Sequence, residues 1–71
     1  MTKEEKKDLK KKLPFGWAKI IAKETNFSPA YARRVMDGLA DKYEIELAVL
    51  NLAKDHESKL KKLEQLKNNV L

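Results

Sequence analysis

Two adjacent arginines, Arg33 and Arg34, are the side chains of this sequence best suited to chemistry on a partner. A guanidinium is planar, permanently charged and presents a fork of N–H donors, so it grips a phosphate or two acceptors on one edge of a planar ring. Ala30 precedes Arg33 by three residues and Asp37 follows it by four, spacings that put all four side chains on one face of a helix. Asp37 either steadies Arg33 or forms an ordinary surface ion pair. No grouping for making or breaking bonds accompanies them. The sequence has no cysteine, and its single histidine, His56, lies between Asp55 and Glu57. No Ser/His/Asp arrangement, glycine-rich phosphate loop or metal-ligand spacing is present, so no catalytic residue, metal, cofactor or small-molecule substrate is expected.

Composition points the same way. Seventy-one residues make at most one small domain, too little chain to enclose a large substrate cavity. Sixteen Lys and Arg against eleven Asp and Glu give a net charge of +5, which favours a polyanionic partner over a neutral one. The opening MTKEEKKDLKKK carries no apolar run after its charges, and no stretch reaches bilayer-spanning length. A cytoplasmic protein without a membrane partner is the default expectation.

The elements that would position the arginines follow from four breakers, Pro14, Gly16, Pro29 and Gly38, in a sequence otherwise rich in helix formers. Thr2 with Glu5 has capping-box spacing, so a first helix is expected from about Lys3 to Lys12, with Leu9 and Leu13 as its core contacts. The alternative for this lysine-rich segment is a basic arm that orders on a phosphate backbone. Leu13-Pro14-Phe15-Gly16 breaks the helical pattern. A second helix from about Trp17 to Thr25 turns Trp17, Ala18, Ile20, Ile21 and Ala22 inward and Lys19, Lys23 and Glu24 outward.

Asn26 and Phe27 make a tight turn, since Asn accepts positive φ readily, and Phe27 is expected to be buried. Ser28 as N-cap and Pro29 at the first position open the third helix, 29–37. Its inward side is Ala32, Val35 and one of Tyr31 or Met36, and Gly38 closes it in the left-handed conformation. Asp41 with Glu44 suggests another capping box, opening a helix from Lys42 to Leu71. Ile45, Ala48, Val49, Leu52 and Ala53 on this helix close the core. Beyond them Leu60, Leu63, Leu66 and Val70 extend an apolar stripe that the rest of a monomer this size leaves uncovered, so self-association as a homodimer through these residues is expected, despite the interruptions at His56 and Lys59; the alternatives are an exposed, fraying helix or a tail folded back on Leu9 and Leu13.

The result is an all-α bundle of about four helices with a long C-terminal helix. It divides into a basic N-terminal helix or arm (1–12), a core (13–53) and a helical extension (54–71). Ala18 to Asp37 resembles the helix-turn-helix of phage repressor and Cro-type regulators, the lambda-repressor-like group: small Ala22 stands where the helices cross, Asn26 replaces the usual turn glycine, and Phe27, Ala32 and Val35 occupy apolar positions. Ala32 is smaller than the branched residue usual at its place.

The resemblance implies a small transcription regulator of phage or mobile-element type in a bacterium that binds double-stranded DNA with helix 29–37 in the major groove. Arg33 and Arg34 would then contact guanine or phosphate, Ala30 a thymine methyl, Ser28 a phosphate near the helix N-terminus, and Asp37 a cytosine amino group. Lys19 and Lys23 would touch the backbone, and Tyr31, like Trp17, is divided between core and DNA. Two other functions fit the same residues: a helical protein-interaction module, as in an antitoxin or adaptor, and an RNA-binding helical protein.

Overall fold

The computed structural model describes residues 1–70, and its element order is α1 (Lys3–Lys10), α2 (Trp17–Thr25), α3 (Pro29–Met36) and α4 (Tyr43–Val70). Leu71, expected to end the last helix, lies outside the described residues. The architecture is all-α, with three short helices gathered against the first half of the long α4. At 1.5 Å per residue α4 is about 42 Å long. It therefore accounts for the 44 Å long axis of the molecule.

Local chemistry sets most boundaries. At α1 the Glu5 N–H donates to Thr2 Oγ1 (3.1 Å) while the Thr2 N–H donates to Glu5 Oε1 (2.9 Å), a complete capping box. Those bonds hold the Glu5 carboxyl below its ordinary range, the Thr2 backbone N–H contributing most. Asn26 ends α2 at φ 62°, the left-handed conformation its short polar side chain tolerates. Ser28 Oγ then accepts the Tyr31 N–H (3.1 Å) and Pro29 begins α3.

The far end of α3 is a Schellman closure. Leu39 N–H reaches Arg34 O (3.0 Å), Gly38 N–H reaches Val35 O (3.1 Å), and Gly38 sits at φ 80°.

The core is Ile21 of α2, Ala32, Val35 and Met36 of α3, and Ile45 and Val49 of α4. Leu9, Leu13, Trp17, Phe27, Tyr31, Ala48 and Leu52 are packed around it, half-buried. Three expectations are corrected here. Ile20 is on the outer side of α2, because neighbouring positions differ by about 100° around a helix and Ile21 takes the inward direction. Phe27 is half-buried at the core's rim, its ring tilted 37° against that of Tyr31 at 5.3 Å between centroids, with Lys42 Nζ 5.5 Å over its face. Asp41 caps nothing: α4 starts at Tyr43, and the Asp41 carboxylate accepts from Lys6 instead.

That last contact also decides between helix and arm for residues 3–10. Lys6, 1% exposed, is the one charged residue buried among those described. Its Nζ donates to Ala40 O (3.3 Å) and Asp41 Oδ1 (3.2 Å) and lies 3.3 Å from Glu46 Oε1. A buried ammonium needs both charge and hydrogen-bond partners, and here the corner between α3 and α4 supplies them. The α1 helix is thus docked, not free.

Candidate nucleic-acid interface

At about 100° per residue, Ala30, Arg33, Arg34 and Asp37 fall within about a quarter to a third of the circumference of α3. Ala32, Val35 and Met36 occupy the opposite side. Burial divides the residues in the same way: the first four are exposed, the last three wholly enclosed. The geometry has a simple cause, since an eight-residue helix pinned at one end by Ser28 and at the other by Gly38 has little freedom to roll once Val35 and Met36 enter the core.

Neither Arg33 nor Arg34 has an acidic partner within ion-pair distance among the described residues. The expectation that Asp37 steadies Arg33 is corrected: Asp37 Oδ1 accepts from Lys10 Nζ at 2.7 Å. Lys10 is directed there by the docking of α1, a tertiary fact that lies outside the local spacing of α3.

Ser28 is exposed, but its hydroxyl oxygen is engaged in capping α3. Tyr31 is half-buried and packs at a tilt against Phe27, so its ring contributes to the rim of the core as well as to the surface. Lys19 and Lys23 are exposed one turn apart on α2, without ion-pair partners among the described residues. Of the positions expected to meet a partner, Ala30, Arg33 and Arg34 thus share one open face, and the two lysines lie on the neighbouring helix.

Between α2 and α3 opens a cleft of about 440 Å³ lined by Leu13, Pro14, Phe15, Gly16, Trp17, Ala18 and Arg33. Phe15 had no place in the sequence-derived site, because a loop residue belongs to no helical period. Its position between Pro14 and Gly16, which leaves it no neighbouring turn to pack on, was the available sign. Lys6 was missed as well, although its spacing of three from Leu9 and seven from Leu13 puts it on the buried side of α1.

On α4, Leu60, Leu63, Leu66 and Val70 are all exposed, between 51% and 81%. Counted at 100° per residue, they continue the side on which Ile45, Val49 and Leu52 meet the core. Among the described residues no helix is long and apolar enough to cross a membrane. No family model, curated protein or solved structure matches the chain.

Proposed function

We propose that this chain is a sequence-specific duplex-DNA-binding protein, a small regulator of the lambda-repressor-like kind that seats α3 in the major groove and acts as a homodimer. The observation that carries the proposal is the division of α3 into a fully enclosed side and an open side bearing two arginines without acidic partners among the described residues. A major groove admits one α-helix, and the donor forks of Arg33 and Arg34 match the paired O6 and N7 acceptors of guanine or a phosphate. Lys19 and Lys23 approach the flanking backbone, and the Lys10–Asp37 pair borders the same helix end. The exposed leucines of α4 support pairing of two copies, which would present two reading helices to a two-part site.

The test is selection from a random duplex pool, followed by binding at rising salt. One enriched sequence should survive salt that strips non-specific DNA. Arg33→Ala and Arg34→Ala should each weaken binding to it by about 5- to 150-fold, the equivalent of ~1–3 kcal/mol, without altering helicity or melting. A pool that returns no preferred sequence refutes the proposal, and preferential competition by duplex RNA reassigns the open face to RNA.

A further inference from the structure

Phe15 is 104% exposed, more than any other large apolar side chain among the described residues. Gly16, at φ 78°, turns the chain immediately before α2. A Cβ built there would meet nothing within 4 Å, so the glycine serves the backbone conformation and not a close contact. With Pro14 on its other side, Phe15 projects from a stiffened turn while its neighbours Leu13 and Trp17 are half-buried in the core's rim. Single exposed apolar residues are ordinary. This one shares the wall of a cleft with Arg33, which stands on the open side of α3.

The sequence to either side of it is cationic. From Lys11 to Lys23 the chain carries Lys11, Lys12, Lys19 and Lys23, none of them in an ion pair among the described residues, and no acidic residue. A polyanion is drawn to such a stretch, whereas the second copy proposed above pairs through the leucines of α4. Duplex DNA offers what the aromatic ring lacks: deoxyribose faces and base edges just inside a line of phosphates. Apolar side chains that lie against or between base steps are an established means of holding a duplex.

We infer that Phe15 is a second DNA-contacting element, an apolar wedge that packs on the sugars and base edges flanking the contact made by Arg33. The inference rests on the proposed function and adds to it a contact that is not electrostatic. A wedge of this kind releases no counterions, so its contribution is independent of salt, unlike that of an arginine on a phosphate.

The experiment uses the full chain and the duplex recovered by selection, with affinity measured by fluorescence anisotropy between about 50 and 300 mM salt. Phe15→Ala should weaken binding about tenfold at every salt concentration and leave the slope of log K on log salt unchanged, the size expected for loss of one stacking or wedge contact. Phe15→Trp should restore affinity, and melting of both variants should match the parent because the ring packs on nothing in the free protein. An unchanged affinity for Phe15→Ala, with the parent protein binding normally, overturns the wedge and leaves the proposed function standing. A parent protein that binds no duplex overturns both. If Phe15→Ala instead changes the sedimentation of the free protein, the ring belongs to a contact between copies and the wedge is likewise overturned.

Discussion

Lys6→Met tests the docking of α1 more sharply than any truncation, because methionine keeps the length of the buried stem and removes only the ammonium. Three contacts are lost. The one to Asp41, whose side chain is 91% exposed, contributes below about 0.5 kcal/mol. The Ala40 carbonyl loses a donor, worth about 1 kcal/mol. Glu46, 18% exposed, is left with only the N-terminal amine at 3.9 Å, and stranding a carboxylate there costs about 1–2 kcal/mol. Better apolar packing of the methionine returns part of this, so the net loss is about 2 kcal/mol. For a chain of this length that lowers Tm by roughly 8–16 °C. Thermal melting followed by far-ultraviolet circular dichroism at neutral pH measures it, and the difference should persist at about 1 M salt because the pair is shielded from solvent. Lys6→Met/Glu46→Leu should recover much of the loss, with a coupling energy of about 1–2 kcal/mol. A single variant within about 0.5 kcal/mol of the parent would mean that Lys6 is solvated and α1 is not docked in solution.

Thr2→Ala should destabilise α1 by about 1 kcal/mol, measured by amide exchange along residues 3–10. Because the Glu5 carboxyl is held below its ordinary value of 4.5, its capping contribution is complete above that value and disappears as pH falls through the lowered folded value. Glu5→Gln should abolish this acid-side loss of protection, and a parent protein with no such titration contradicts the cap. Gly38→Ala should cost at least about 1–2 kcal/mol, since a Cβ there combines positive φ with a 2.6 Å approach to Lys3 Cγ; an unchanged urea midpoint would rule out the Schellman closure. Leu63→Asp should convert the proposed dimer to monomer in analytical ultracentrifugation with the melting of the core unaltered, and a parent protein that is monomeric at high concentration argues against pairing through α4.

Turn chemistry made the α2–α3 unit readable in advance. Asn26, Ser28, Pro29 and Gly38 act within four or five residues of themselves, so their conformations follow from local sterics and hydrogen bonding whatever the rest of the chain does. The open side of α3 was readable for the same reason, as short helices with clear ends have an unambiguous inward direction. What escaped was non-local. Asp37 had a partner in view at Arg33, yet Lys10 arrives from 27 positions away and takes it. Asp41 had a backbone amide in view, yet Lys6 arrives from 35 positions away. Competition between a local and a distant partner is settled by tertiary geometry, which no spacing rule contains.

The distribution of charge explains why the distant partners win, and it divides the net charge of +5 unevenly over the fold. Residues 37–46 are the acidic stretch of the chain, with Asp37, Asp41, Glu44 and Glu46 against Lys42 alone. Across from this corner lies α1, whose Lys6 and Lys10 turn into it. The N-terminal lysines, for which a free basic arm was the alternative to a docked helix, are partly consumed in holding the bundle together: of the six, Lys3, Lys7, Lys11 and Lys12 remain outside ion pairs among the described residues. From Gly16 to Met36 the balance is reversed: Lys19, Lys23, Arg33 and Arg34 face a single acid, Glu24, and none of the four is paired among the described residues. Folding thus neutralises charge at one end of α3 and leaves it open along the side of α3 and on α2. The proposed DNA partner would therefore meet unpaired cations where the arginines stand, because the acidic corner is already occupied by α1.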